Sequence, residues 1–207
     1  MFQNVIFDWS GVVNDNSYAI YQTVLEILSI KEAHQEMSFE DFRRQWKQPY
    51  MDFYHKFLPD FTIEEQTILY KKTLPKFEKD KVFPGMNKLI KRLLDQKINC
   101  FIVSSDYPQT LFRQIDIFSL NKSFFKEIIH SSHNKTTDVK NLIQKYNLSL
   151  NETIFIGDSN HEIESARETR IKSCGVTWGL SDENNLLPFK PNFIAHDVAE
   201  LENILLK

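Results

Sequence analysis

The chain has 207 residues, of which 42% are hydrophobic and 26% charged, as is typical of a globular protein. Its 25 basic and 28 acidic residues give a net charge of −3, which argues against duplex DNA or an anionic membrane as the main partner. No apolar run approaches the length of a membrane span, and no signal peptide is evident. We therefore expect a cytoplasmic protein, a monomer or a homodimer, that binds neither nucleic acid nor membrane.

Apolar runs along the chain predict the strands of a parallel sheet. Their hydrophobic residues are consecutive rather than alternating, which suits strands that are covered on both faces. The clearest runs are Phe2–Phe7, Ile98–Val103 and Thr153–Ile156, and the weaker ones are Glu127–His130 and Ser173–Thr177. Amphipathic helices are predicted between them, at Met86–Gln96 and Val139–Tyr146. Strands that alternate with helices indicate a Rossmann-like α/β fold.

The segment from 14 to 81 has a different character, because it contains no convincing strand and has helical patterns throughout. Capping sequences begin at Ser38 and Thr62, and prolines punctuate the segment. We therefore predict two domains. Residues 1–13 and 82–207 form an α/β core, and residues 14–81 form an inserted all-helical domain.

Polar residues follow the three clearest strands. In an open parallel sheet, ligands bind beyond the carboxyl ends of the strands, and this rule gathers Asp8, Ser104 and Asp158 at one edge. Two aspartates placed there would repel each other unless a cation held them. Their hard oxygen atoms suit Mg²⁺, which proteins commonly bind through one or two carboxylates together with water and substrate phosphate.

At these positions the sequence resembles the four motifs of the haloacid dehalogenase superfamily, in the family's order. The matching runs are Val5-Ile6-Phe7-Asp8-Trp9-Ser10-Gly11, Ile102-Val103-Ser104-Ser105, His133-Asn134-Lys135 and Ile156-Gly157-Asp158-Ser159. Phe83-Pro84-Gly85-Met86 resembles the chain's return from the family's helical cap, and Val176-Thr177-Trp178-Gly179 resembles the segment after the next strand. The overall likeness is closest to phosphoglycolate-phosphatase-like proteins. It implies a Mg²⁺-dependent phosphatase for a small phosphorylated metabolite, with residues 14–81 as a cap that closes over the substrate.

The resemblance also implies roles for individual residues. Asp8 would attack phosphorus and form an aspartyl phosphate, while Lys135 would hold both the phosphate and the Asp8 carboxylate. Mg²⁺ would be bound by Asp8, the backbone carbonyl of Ser10 and Asp158. The other implied contacts with phosphate or substrate are the hydroxyls of Ser104 and Ser105, the backbone N–H groups from Trp9 to Gly11, and the cap residues Arg43 and Arg44.

Two departures from the family pattern leave alternatives open. Ser10 stands where the family's phosphatases have an aspartate that protonates the leaving group, and such general acid–base help is worth about 10² to 10⁴ in rate. The chain is then a slow phosphatase or one that prefers good leaving groups, a phosphonate-cleaving or other phosphoryl-transfer enzyme, or a degenerate phosphometabolite-binding or regulatory protein. Glu162 stands where aspartate is usual. It is a metal ligand, the last residue of a capping box that begins at Ser159, or both.

Overall fold

The computed structural model describes residues 1–132 and 134–207, so His133 of the third motif lies outside the described residues. Within the described chain, six strands form one parallel sheet, in the order β3-β2-β1-β4-β5-β6. The strands are β1 Asn4–Phe7, β2 Asn99–Val103, β3 Phe125–Ile129, β4 Thr153–Gly157, β5 Lys172–Val176 and β6 Phe193–Ala195. The predicted Rossmann-like α/β fold is confirmed.

Ten α-helices are found in the described residues. They are α1 Ser17–Ile30, α2 Phe39–Gln45, α3 Met51–His55, α4 Ile63–Thr73, α5 Met86–Asp95, α6 Pro108–Ile117, α7 Lys135–Tyr146, α8 Asn160–Thr169, α9 Glu183–Leu186 and α10 Val198–Leu206. Not one of them is both long enough and apolar enough to cross a bilayer.

The central strands are buried on both faces, because neighbouring side chains of a strand point in opposite directions. In β1, Val5 and Phe7 belong to one apolar cluster, together with residues of α5 and α10. Ile6 belongs to a second cluster, together with Val139 and Leu142 of α7. This arrangement explains the unbroken apolar runs in the sequence and leaves the carboxyl ends of the strands as the place for polar side chains.

The chain divides into two compact units. The core unit comprises Met1–Asp15 and Asp80–Lys207 and contains the whole sheet. The helical unit, Asn16–Lys79, contains α1 to α4. These bounds lie within two residues of the predicted insertion, 14–81. The action of the helical unit as a cap stays a prediction.

Within the core unit, the two segments that flank the insertion pair with each other. The backbone N–H of Asp15 donates to the carbonyl of Lys81 at 2.7 Å, and the N–H of Phe83 donates to the carbonyl of Val13 at 3.0 Å. The chain therefore leaves the core unit shortly after β1. It re-enters the core unit through a segment that lies beside the point of exit.

The helical unit has an aromatic core of its own. Phe42, Trp46, Phe53 and Tyr54 are all buried, and the ring centroids of Phe42 and Trp46 lie 4.9 Å apart. The side chain of Thr62 accepts a hydrogen bond from the N–H of Glu65, which completes the capping box at the start of α4.

Candidate active site

The predicted catalytic residues of the core unit come together at the carboxyl edge of the sheet. Asp8 follows β1, Ser104 follows β2 and Asp158 follows β4, while Lys135 is the first residue of α7. All four are buried. Parallel strands deliver their ends to one edge, so residues separated by up to 150 positions in sequence form a single group.

Lys135 lies between two carboxylates. Its Nζ is 2.9 Å from Oδ1 of Asp8 and 2.6 Å from Oε1 of Glu162. A cation at the first turn of a helix is opposed by the helix dipole, and burial also opposes its charge. The carboxylates of Asp8 and Glu162 outweigh the burial and raise the pKa of Lys135 above its ordinary value. The ammonium is therefore held charged beside the candidate nucleophile.

The carboxylates of Asp8, Asp158 and Glu162 form a buried acidic group whose nearest oxygens all lie within 4.8 Å of one another. Burial, helped by the charges of Glu162 and Asp158, raises the pKa of Asp8 well above 3.8, although Lys135 opposes this rise. Burial and the charge of Glu162 likewise raise the pKa of Asp158 to about 7. Burial also acts on Glu162, but Lys135 outweighs it and lowers the pKa of Glu162.

This group of charges fits a divalent cation. When all three carboxylates are ionised, one ammonium balances only part of their charge, and burial together with the neighbouring carboxylates raises the pKa values of Asp8 and Asp158. Three carboxylates at mutual distances below 4.8 Å are the hard oxygen donors that Mg²⁺ prefers. The residues present are therefore suited to the ion that the sequence implied.

Glycines provide the space in which these carboxylates lie. Gly11 has φ +75°, and a Cβ at this position would stand 1.9 Å from Oδ2 of Asp158. A Cβ on Gly179 would lie 2.3 Å from the Cβ of Asp158, and one on Gly157 would lie 2.2 Å from the Cβ of Glu162. Each distance is impossible between real atoms, so the close approach of backbone to carboxylate requires glycine at all three positions.

Glu162 does form the predicted capping box. Its Oε2 accepts hydrogen bonds from the backbone N–H of Ser159 at 3.1 Å and from the Ser159 hydroxyl at 2.7 Å. Its Oε1 is the atom that contacts Lys135. One carboxylate thus caps α8 with one oxygen and holds the site lysine with the other. Its role as a metal ligand stays a prediction.

Ser10 and Ser104 share one hydrogen-bond acceptor that the sequence analysis did not identify. The hydroxyls of Ser10 and Ser104 donate to the same Oδ2 atom of Asp106, at 2.8 and 2.9 Å. The backbone N–H of Asp106 donates in return to Oγ of Ser104 at 3.0 Å. The available signal was a third aspartate just after a strand end, in the run Ser104-Ser105-Asp106.

The remaining candidates of the core unit have partners within the chain. The exposed Ser105 donates its hydroxyl proton to the carbonyl of Ser132 at 3.0 Å. The N–H of Trp9 donates to Oδ1 of Asp8 at 2.8 Å, and the N–H of Gly11 donates to the carbonyl of Asn14 at 3.0 Å. A phosphate would have to compete with these acceptors, and binding by the three residues stays a prediction.

Arg43 and Arg44 lie in the helical unit, on α2. Arg43 Nη1 is 3.4 Å from Oε2 of Glu40, and Arg44 Nη1 is 2.8 Å from Oδ1 of Asp41. Both pairs have the i, i+3 spacing of neighbours on one helix surface. A contact of either arginine with substrate stays a prediction.

Comparison with known proteins gives a consistent result. Residues 5–176 match the profile of a family described as "Haloacid dehalogenase-like hydrolase". A pyrophosphatase PpaX of Oceanobacillus iheyensis is 23% identical over 98% of this chain and 96% of its own length. A pyrophosphatase PpaX of Listeria innocua is 26% identical over 67% of this chain and 66% of its own length.

Solved structures also share the fold. The structure of "a predicted phosphatase" from Clostridium acetobutylicum aligns with a TM-score of 0.79 and 21% identity, over 100% of this chain and 99% of that one. That of "a predicted phosphoglycolate phosphatase" from Haemophilus somnus aligns with a TM-score of 0.74 and 16% identity, over 98% and 97% of the two chains.

Proposed function

Because the chain belongs to the haloacid dehalogenase-like hydrolase family, we propose that it is a Mg²⁺-dependent phosphatase that acts through an aspartyl phosphate on Asp8. Membership of the family confirms the resemblance that the motifs indicated and the prediction of an enzyme of this type. The observation that carries the proposal is the contact of Lys135 with Asp8 inside the buried acidic group. This arrangement combines a nucleophile, a fixed positive charge and oxygen ligands for a cation.

The proposed reaction begins with attack on phosphorus by a carboxylate oxygen of Asp8. Lys135 is 2.9 Å from Asp8 Oδ1, so its ammonium can balance negative charge on the nucleophile and on the phosphoryl oxygens. Mg²⁺, bound by Asp8, Asp158, the carbonyl of Ser10 and Glu162, would supply further charge neutralisation between nucleophile and substrate. Catalysis of phosphoryl transfer consists largely of such positioning and charge stabilisation.

The presence of serine at position 10 affects which substrates the enzyme can hydrolyse. A serine hydroxyl is a poor general acid at neutral pH, so an alkoxide leaving group would depart without the proton that it needs. Phosphoric anhydrides, such as pyrophosphate and acyl phosphates, release a phosphate or a carboxylate, and these are stable as anions. We therefore favour small anhydride substrates over sugar phosphates, and two relatives that carry the name pyrophosphatase agree with this choice.

A phosphometabolite-binding protein without efficient turnover is the second candidate. The observation that favours it is again Ser10, since its hydroxyl proton is donated to Asp106 rather than offered to a leaving group. In this case the acidic group and Lys135 would bind the cation and the phosphate of a ligand, and Asp8 would not become phosphorylated.

Phosphate release from pyrophosphate, acetyl phosphate, p-nitrophenyl phosphate and a set of sugar phosphates separates the two candidates. We expect Mg²⁺-dependent turnover that is abolished by chelator and by Asp8→Asn, with kcat/KM at least about tenfold higher for the anhydrides. Asp116→Asn, which changes an exposed carboxylate of α6, is the matched control and should behave as wild type. Among these substrates, the sugar phosphates should show the largest increase in hydrolysis rate in Ser10→Asp. Ligand binding without turnover would contradict the proposal in favour of the binding protein.

A further inference from the structure

A series of hydrogen bonds leads from the proposed nucleophile to the segment that follows the helical unit. The backbone N–H of Trp9 donates to Oδ1 of Asp8 at 2.8 Å. The indole Nε1 of Trp9 donates to Oε1 of Gln114 at 2.8 Å, and Nε2 of Gln114 donates to Oδ1 of Asp80 at 3.1 Å. Asp80 is the residue at which the chain re-enters the core unit, so all four residues belong to that unit.

Gln114 is a polar residue in an apolar environment. It is fully buried on α6, and Leu111 and Phe118, three residues before it and four after it, belong to the apolar cluster of the core unit. Trp9 belongs to the same cluster, and its ring stacks on Phe118 with the centroids 5.8 Å apart. Burial of an amide costs free energy unless its polar atoms are hydrogen-bonded. The contacts with Trp9 and Asp80 therefore explain a glutamine at this position better than packing does.

One orientation of the Gln114 amide suits both of these neighbours. The indole N–H of Trp9 can only donate, so it needs the amide oxygen, while the carboxylate of Asp80 accepts from the amide nitrogen. Arg113, which precedes Gln114 on α6, also contacts the Asp80 carboxylate, through Oδ2. Asp80 is thus held in place and keeps the amide from turning over, and the amide in turn holds the indole.

The backbone of Trp9 is fixed as well as its side chain. Its carbonyl accepts from the N–H groups of Val13 and Asn14, both at 2.9 Å. Its N–H donates to the same Asp8 oxygen that lies 2.9 Å from Nζ of Lys135. A displacement of Trp9 would therefore move one of two donors that orient the Asp8 carboxylate. Misplacement by about 1 Å can slow a reaction about a hundredfold, even when its cause lies far from the chemistry.

We propose that Gln114 is a positioning residue that acts through Trp9 to hold the Asp8 carboxylate in the direction needed for attack on phosphorus, and that Asp80 fixes the Gln114 amide. The inference rests on the proposed function and concerns its first step. In that step an Asp8 oxygen forms a bond to phosphorus while the bond to the leaving group breaks, and the leaving group departs with the electron pair. Side chains locked by packing and hydrogen bonds are what such alignment requires.

Gln114→Met and Trp9→Phe each remove one partner of the buried hydrogen bond and keep an apolar side chain in its place. The measurement is rapid-quench detection of phosphorylated Asp8 at increasing acetyl phosphate with saturating Mg²⁺. We expect the maximal phosphorylation rate to fall about ten- to a hundredfold in each variant, with the half-saturating concentration changed less than about threefold. Gln109→Met, the same substitution at an exposed position of α6, is the matched control and should behave as wild type.

Two further variants separate positioning from a general loss of stability. Leu111→Ala removes packing from the same helix but keeps the contact of Trp9 with Gln114. It should lower Tm and leave the maximal phosphorylation rate within about threefold of wild type. Asp80→Asn keeps an oxygen that can accept from Gln114 and should also retain the rate, whereas Asp80→Ala should lose about tenfold.

The double variant Trp9→Phe/Gln114→Met should be hardly slower than either single variant, because the contact is already absent in both. A wild-type phosphorylation rate in Gln114→Met or Trp9→Phe would overturn the inference and leave the proposed function intact; if Gln114→Met does not fold, Trp9→Phe alone decides. An equal loss of rate in Leu111→Ala, or additive losses in the double variant, would overturn it too. If wild type forms no phosphoenzyme, the proposed function fails, and the inference fails with it.

Discussion

The ammonium of Lys135 lies 2.9 Å from Oδ1 of Asp8, where both side chains are almost completely buried. A buried pair of this kind adds little to stability when it is complete, but removal of one partner leaves a charge without compensation. Lys135 has a second carboxylate, that of Glu162, at 2.6 Å. Its ammonium is therefore required by two buried anions at the same time.

We predict that Lys135→Met lowers the free energy of unfolding by about 3 kcal/mol or more, since two buried carboxylates lose their counterion. Urea denaturation measures this loss, and phosphate release should fall by at least about a hundredfold. Lys145→Met is the matched control on the same helix. Lys145 is exposed and 2.8 Å from Glu127, so its replacement should leave the free energy of unfolding nearly unchanged, as is usual for a surface ion pair. Equal losses in the two variants would contradict the importance of the buried contact.

The stability of the metal-free protein should depend on Asp158. Burial and the charge of Glu162 raise its pKa from 3.8 to about 7. At pH values below the ordinary pKa the carboxyl is protonated in both the folded and the unfolded chain, so it contributes no penalty. As pH rises towards 7, only the unfolded chain ionises, and the free energy of unfolding falls. Above pH 7 the penalty is complete.

Asp158→Asn removes this penalty, and its amide oxygen can still accept the hydrogen bond that Asp158 accepts from Leu180. In chelator at pH 8 we expect the variant to be more stable than wild type by at least about 1 kcal/mol, or about 3 °C in Tm. The difference should vanish near pH 4. Saturating Mg²⁺ should reverse the order at pH 8, because only wild type gains a complete ion site. A difference that is constant with pH would contradict the assigned cause.

Glu162→Gln separates helix capping from ion binding. The amide oxygen of Gln can still accept from the N–H of Ser159, so α8 should remain capped, but the negative charge is lost. We predict that calorimetric titration gives a Mg²⁺ dissociation constant about tenfold higher than in wild type. Glu162→Ala should in addition lose about 1 kcal/mol of stability with the cap. An unchanged Mg²⁺ affinity in Glu162→Gln would assign this residue to capping and to Lys135 alone.

Gly11→Ala should abolish activity through a collision with Asp158, since the added Cβ would stand 1.9 Å from Oδ2. Gly85→Ala is an informative control, because Gly85 also has a positive φ, +93°, but its Cβ would meet only Val198, at 3.3 Å. Both variants carry the backbone strain, so both should lose about 1 kcal/mol or more of stability. Only Gly11→Ala should lose most of its phosphate release. Comparable activity in the two variants would contradict the collision.

Much of the core unit could be predicted from sequence because its central strands are buried on both faces. The run Thr153–Ile156 predicted β4 to within one residue, since a strand covered on both faces shows unbroken hydrophobicity. The edge strand β6, Phe193–Ala195, was not predicted. It is three residues long and only partly buried, so it carries no comparable pattern.

The candidate site likewise contains some residues that the sequence could predict and others that it could not. Asp8, Lys135 and Asp158 occupy motif positions, and the rule on strand ends brings their elements together. Asp106 was missed because its place depends on the turn after β2, which brings its carboxylate to the hydroxyl of Ser10 on another strand end. Similarly, the division of the two Glu162 oxygens between Ser159 and Lys135 depends on the distance between α7 and α8, which no local pattern specifies.

Phosphorylation of Asp8 is the most direct test of the proposed chemistry. The protein is incubated with acetyl phosphate and Mg²⁺, quenched in acid and digested, and the peptide that contains Asp8 is analysed by mass spectrometry. We predict one added phosphoryl group on Asp8, which is missing in Asp8→Asn. Release of phosphate at an undiminished rate by Asp8→Asn, or a phosphoryl group on a different residue, would contradict the assignment of Asp8 as nucleophile.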